Sequence, residues 1–554
     1  MAFELRFAGS KLVVAEHGGF YRVWLLLANL AFVSIAPPSA LALPQRGSAF
    51  DYSAIEAAIQ SGNFNWAQQE LGRRVRVEPQ DYQAQMLLGI VLDEENHPAE
   101  AAEHLRRAVL LEPKSAAAHL NLGKHDTRLG DLTAAITEFE SALRLSPGDP
   151  TVHDNLGVAL MARGNMTRAL AEFQKAAAAA PTDQATWLNL LKCQLALKQF
   201  PAARTAAEKI ASLSPVSAEL LSHVGALQAD AGDYTGAIKT LNHSLHLSPQ
   251  DYEARYNLGL TYYHAGNLRS AIESLEPLRA SQQGAEVDSL LGEIYEKNRD
   301  YLEAVQSFQK AAEREPGNEE YRFDFVCELL AHRNDDAAIL VGEPAVHDFP
   351  NSMRLSLALG VARIVRGLVD DALKDFLRTA KRFPDSEQPL YLLALAEEAG
   401  HKNAPETREL VQSYSDRHPE RFWPYYYLGH VAFLDARALQ SAGDLEKAQR
   451  LLAKSLEIRP DYADAHLELG NVYAQNQRWS EAIEEYLRVV SLKPDLAEAH
   501  YKLYRAYLEA GDKVHAQQQY EIQRRLRERE DQQDLRQRQV TTFLYQLRES
   551  QPGR

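Results

Sequence analysis

The chain has 554 residues, 45% hydrophobic and 25% charged, the balance of an ordinary globular protein. Its formal net charge of −16 argues against a general binder of nucleic acid or anionic membranes, which presents a basic stripe. The two cysteines, Cys193 and Cys327, form no CxxC and no disulfide framework, so they are read as small buried residues and not as a metal or redox centre.

At the N-terminus, Arg6, Lys11 and Arg22 precede an apolar run from Val23 to Ile35, followed by Pro37-Pro38 and Ala40-Leu41-Ala42. A basic flank, a short apolar core and a small-x-small site make a secretory signal peptide over residues 1–42, with 43–50 as a linker. The core is shorter than the roughly 20 residues of a membrane span. Cleavage after Ala42 and a periplasmic or extracellular location are therefore expected, and membrane attachment only if the leader stays uncleaved.

From about Asp51 the chain repeats itself. The clearest stretch runs from Ser115 to Pro181, where two lines match at one fixed offset. Leu122-Gly123 returns as Leu156-Gly157, Gly130 as Gly164, Ala135 as Ala169, Phe139 as Phe173, Ala142 as Ala176 and Pro147 as Pro181. A fixed period in this range signals stacked repeats. Within a unit, apolar residues at three- and four-residue spacing predict two helices. Gly130 ends the first, since glycine accepts the left-handed conformation there, and Pro147 stops the second. Gly123 and Ala135 let the pair approach closely, with Phe139 beside them. Such a pair cannot bury its apolar face alone and needs neighbours on both sides.

This Leu-Gly, Gly, Ala, aromatic, Ala and Pro pattern, recurring at the offset that carries Leu122 to Leu156, resembles the tetratricopeptide repeat. The resemblance implies an all-α, right-handed superhelical solenoid of antiparallel helix pairs, with about fourteen repeats over roughly residues 51–525. It also implies that the first helices line a concave surface that holds extended or helical peptides.

The closing prolines Pro79, Pro113, Pro147, Pro181, Pro215 and Pro249 keep the period, and residues 51–283 read as a regular array. Residues 284–519 continue it less regularly. The unit before Pro215 has Leu190-Leu191 for Leu-Gly and Lys198 for the central glycine, and the unit from Gly317 to Pro350 lacks both Leu-Gly and the aromatic. Pro277 and Pro344 fall inside second helices, where kinks are expected. Seven extra residues lie between Gly429 and Ala448, about two helical turns, so both helices of that pair are expected to be longer. Residues 520–554 read as a capping helix and tail, a polar end that such arrays need, or else as a helix-pairing segment.

No phosphate loop, HExxH or GxSxG is present. His119, His153 and His466 recur near the starts of first helices and read as fillers. No catalytic residue, metal site or cofactor is expected, and little chain remains outside the repeats for a catalytic domain. Binding of protein or peptide is the function left. Asn121, Asn155, Asn189 and Asn257 stand just before Leu-Gly or its equivalent, with His223 in that place in the unit between the last two. An asparagine amide both donates and accepts, so a row of them suits a peptide backbone of any sequence. Tyr256 and Tyr263 on one first helix, and Trp423 and Tyr426 on another, are expected to project to the same surface as anchors. The lysine and asparagine set of a chaperone-tail clamp is not recognised. Two readings stand: an exported peptide-binding scaffold, and a non-catalytic accessory subunit of an envelope enzyme or export complex.

Overall fold

The computed structural model describes residues 50–400 and 404–530. The leader, residues 43–49 of the linker and residues 531–554 of the tail lie outside the described residues. Among the described residues the chain forms 28 α-helices and no strand, from Tyr52–Gln60 to Lys513–Glu530. They make fourteen consecutive pairs, each first helix packing on the second helix that follows it. A representative pair is Pro150–Ala162 followed by Met166–Ala179, helices of 13 and 14 residues joined by the short turn through Gly164, which forces the two antiparallel. No described helix is long and apolar enough to cross a membrane.

The chain divides into two compact units that part between Leu278 and Arg279. Each contains seven of the helix pairs. In both, a contact across the crossing of the pair recurs. A Cβ on Gly123 would stand 2.6 Å from the Phe139 ring, and one on Gly157 would stand 2.6 Å from the Phe173 ring. Gly225 meets Leu241 and Gly259 meets Leu275 in the same way, as do Gly292 and Phe308, Gly360 and Phe376, and Gly470 and Tyr486. The large partner always lies on the second helix of the same pair and is fully or nearly fully buried.

Two repeats invert this pair. Leu191 takes the place of the glycine and Ala207 that of the aromatic, both buried in one cluster. In the unit from Gly317 to Pro350, Val326 replaces the glycine and Gly342 replaces the aromatic. A Cβ on Gly342 would approach Val326 to 3.9 Å and the following repeat's Leu359 to 3.3 Å, so the space is filled from the other side. The sequence suggests that this unit is weak. Its helices are Glu319–Ala331 and Asp335–Asp348, and Phe323, Val326, Leu329 and Leu330 lie in an extensive core cluster.

The turn inside each pair explains the central glycine. Gly130 has φ +80° and Gly164 φ +87°, where a side chain is strained. Lys198, standing in for that glycine, adopts φ +57°, and Asn96, Arg299, Arg333, Gln440 and Gln477 do the same in their own turns. The extra seven residues lengthen both helices of their pair, to Phe422–Leu439 with 18 residues and Ala442–Ile458 with 17. Gly429 still meets its large partner, Leu452, because two whole turns leave the stripe in phase. The two internal prolines behave differently. Pro277 follows the helix Leu268–Leu275 and sits in a 3₁₀ segment, Glu276–Ala280, whereas Pro344 stands inside an unbroken helix.

The close crossing generates a direct test. Gly157→Leu is expected to destabilise the chain by about 1–3 kcal/mol or more, because Phe173 is buried and has no room to move aside. Combining it with Phe173→Ala, which copies the Leu191 and Ala207 arrangement, should recover much of the loss. Hydrogen exchange should locate the lost protection in Ser115 to Pro181; unchanged protection there contradicts the contact.

Candidate functional site

Most buried polar groups of the repeats serve the fold. His153 shows how. Its Nδ1 lies 2.6 Å from Oε2 of Glu172 on the second helix of its pair, and its Nε2 lies 2.9 Å from the carbonyl oxygen of Pro147 at the end of the preceding repeat. His119 joins Glu138 and Pro113 identically, His466 joins Glu485 and Pro460, and His500 joins Gln519 and Pro494. Where the histidine is absent, Trp187 Nε1 donates to the Pro181 carbonyl and Gln85 to that of Pro79. These histidines are therefore not fillers. They tie three segments together, and the partner on the second helix is invisible without the helix pairing. Burial works against the charge on His466, but Glu485 outweighs it and raises the imidazole above its usual value. Both cysteines are buried, and burial pushes the Cys193 thiol up to about 11, far from a reactive thiolate.

A second set of polar groups lies on successive first helices of the unit ending at Leu278: Ala116–Leu129, Pro150–Ala162, Gln184–Ala196 and Ala218–Asp230. These helices also pack on one another. Asn189 Nδ2 donates to both carboxylate oxygens of Asp154, at 3.0 and 3.2 Å, bridging two repeats. Asn155 turns its amide back to the Thr151 carbonyl, 2.8 Å away. The Asn121 amide has no protein partner among the described residues, and all three asparagines are half-buried.

Lys124 and Lys192, each one residue after the crossing position, complete the row. Burial lowers both ammonium groups, for Lys124 against the opposing pull of Asp149, Glu94 and Asp154. Neither makes a hydrogen bond or ion pair among the described residues. Burial pushes Asp154 up to about 6, although Asn189 and Lys124 favour its charge. Burial, then the charge of Lys192, takes His223 down to about 4. Four titratable groups on one surface are thus held where solvation is poor, and groups so perturbed gather at functional sites.

The remaining candidate residues are corrected by burial. Asn257 is 2% exposed and its Oδ1 has no partner among the described residues, so it cannot continue the row to a ligand. Tyr256, 5% exposed, stacks on Tyr252 with ring centroids 6.0 Å apart. Trp423 is 4% exposed, wedged between Tyr391 of the preceding first helix at 5.4 Å and Tyr427 at 5.8 Å. These rings fill the space between neighbouring helices instead of projecting from them. Tyr263 and Tyr426 are half-buried; Tyr263 packs on His264, and Tyr426 meets Tyr462 edge-on at 5.1 Å. The sequence does not mark Lys124, Asp154 or Lys192, because a charge on a helix face reads as solvated until its neighbours are known.

The row makes a prediction about pH. A carboxyl raised in the folded state binds a proton more tightly there than in the unfolded chain, so its contribution worsens as pH climbs from the ordinary carboxylate value through about 6. Asp154→Asn, which keeps a partner for Asn189, is expected to stabilise the protein at pH 7.5 by about 1–3 kcal/mol. The gain should vanish near pH 4. Denaturant unfolding at both pH values measures it; no gain at pH 7.5 contradicts the burial of that charge.

Family models described as tetratricopeptide repeats match residues 90–150, 160–222, 228–294, 289–318 and 323–400, and one described as a TPR repeat matches 436–477 and 470–511. No curated protein matches the chain. Among solved structures it is similar to PilF of Pseudomonas aeruginosa, with 20% identity over 37% of this chain and 92% of that one, at a TM-score of 0.32. It is similar to a tetratricopeptide repeat protein from Parabacteroides merdae, with 20% identity over 44% and 97% and a TM-score of 0.31. It is also similar to YrrB, described as a TPR protein with an unusual peptide-binding site, with 18% identity over 33% and 95% and a TM-score of 0.28. With the family matches spread along fourteen helix pairs of the expected pattern, the chain belongs to the tetratricopeptide repeat family.

Proposed function

We propose that this repeat scaffold, a protein-interaction module by its family, holds an extended peptide along Asn121, Lys124, Asp154, Asn155, Asn189, Lys192 and His223, and does so outside the cytoplasm. The observation that carries the reading is the pair Lys124 and Lys192, two half-buried ammonium groups that make no hydrogen bond or ion pair among the described residues. A charge withdrawn from water without a hydrogen bond costs free energy. A peptide supplying carboxylate or carbonyl oxygens would satisfy both lysines, while the Asn121 amide pairs with its backbone. Aromatic anchoring falls to Tyr263 and Tyr426, each in its own unit, since Tyr256 and Trp423 are buried.

The test uses peptides selected from a random library on the immobilised full chain. Changing Lys124, Asn189 and Lys192 together to alanine should weaken their binding tenfold or more, about 1.4 kcal/mol upward by calorimetry, with helicity unchanged by circular dichroism. Equal affinity in a folded triple variant removes the row as the site.

Export rests on the basic flank, the apolar core and Ala40-Leu41-Ala42. Mass spectrometry of the protein from its native source should find Leu43 at the N-terminus. A soluble cytoplasmic protein that keeps its leader overturns this part of the reading.

A further inference from the structure

In the unit that begins at Arg279, we propose that Glu296, Glu328 and His332 form a binding site for a divalent transition-metal ion, zinc by the chemistry of its ligands. Glu296 lies near the end of the first helix Gly284–Asn298. Glu328 lies in the next first helix, Glu319–Ala331, and His332 caps that helix. The spacing of four residues puts Glu328 and His332 on one face, and the stacking of the repeats brings Glu296 to them.

The geometry centres on one nitrogen. His332 Nε2 is 2.9 Å from Oε2 of Glu296 and 3.2 Å from Oε1 of Glu328. One ligand atom from each of the three residues fits within 4.8 Å of the others. A single N–H points along one line and cannot serve two carboxylates well. A metal does serve all three. Ligand atoms about 2.0–2.2 Å from a tetrahedral ion stand roughly 3.3–3.6 Å apart, so small side-chain adjustments convert the observed cluster into a coordination shell. One imidazole with two carboxylates favours zinc, manganese or iron over calcium or magnesium, which prefer all-oxygen shells.

The surroundings suit an ion. Glu328 is 0% exposed, so its oxygen is dry and fixed. Glu296 and His332 keep part of their side chains exposed, leaving a path for the ion and a fourth position for water. Tyr301 packs on the imidazole with ring centroids 4.3 Å apart, which holds the ring in its ligating orientation. Because the ligands come from two successive repeats, a bound ion fastens them together, and its binding energy adds to the stability of that joint. Without an ion, the same contacts are those of an imidazole lying between two carboxylates, and the experiment separates the two.

The full chain, treated with chelator and exchanged into metal-free buffer, is dialysed against zinc chloride. One zinc per chain is expected by elemental analysis, with a rise in melting temperature. Glu296→Gln and His332→Gln, both at partly exposed side chains, should each lower the affinity at least tenfold and abolish the rise. Adventitious binding to the other histidines would persist in both variants. No stoichiometric zinc on the wild-type chain overturns the proposal, as does equal binding and equal stabilisation in either variant that circular dichroism shows to be folded.

Discussion

Nine of the fourteen helix pairs cross closely enough for a glycine backbone to lie against a ring or a leucine. Interiors are packed to crystal density, and the solenoid has no single core to absorb a local misfit, since each pair touches only its neighbours. What the crossing demands is a complementary volume, one small residue and one large. Leu191 with Ala207 and Val326 with Gly342 meet that demand in reverse. Two departures from the family pattern therefore fold as ordinary repeats, and Gly429 with Leu452 keeps the rule across longer helices.

The two units differ less in packing than in how their helices begin. In the unit ending at Leu278, all seven first helices start at an aspartate or serine whose side chain accepts a hydrogen bond from the first turn, from Asp51 to Asp251. In the other unit only Asn318 and Ser352 do so, while Gln283, Ser386, Arg421, Tyr462 and Leu496 do not. A side-chain cap is worth about 1 kcal/mol. The glycine crossings nevertheless recur in that unit, at Gly292, Gly360, Gly429 and Gly470. Part of the irregularity of that unit is thus a loss of capping where its first helices begin, with the glycine crossing retained in four of its seven pairs.

That division sets what is legible from sequence. Period, helix pairing, left-handed turns and the two-turn insertion follow from local chemistry and from residues that recur in phase, and the structure has each of them. Burial within one register does not follow. Asn121 and Asn257 hold equivalent positions, yet the second is buried, in a helix that also carries the stacked Tyr252 and Tyr256. Nor do contacts that pair distant residues: His153 to Glu172, Asn189 to Asp154, or Glu296 to His332. They arise from the angle between stacked helices, which a residue's own neighbours in sequence do not encode.

The contrast between two kinds of poorly solvated polar group is what supports the proposed peptide-binding row. His153 and Glu172 meet at 2.6 Å, each with a second partner, so their burial is compensated. Burial still opposes the charge on Glu172, but Lys175 and His153 outweigh it and hold the carboxyl below its usual value. At Asp154 the balance reverses. Asn189 and Lys124 are not enough, and burial prevails. For Lys192 burial alone lowers the ammonium group, which adds to the lowering of His223. A fold selected only for stability has better residues for these places, since an uncharged side chain of similar size removes the cost. Their clustering on successive first helices, while the clamped histidines lie in well-paired contacts of the same repeats, favours the proposed reading of this row as a place for a ligand.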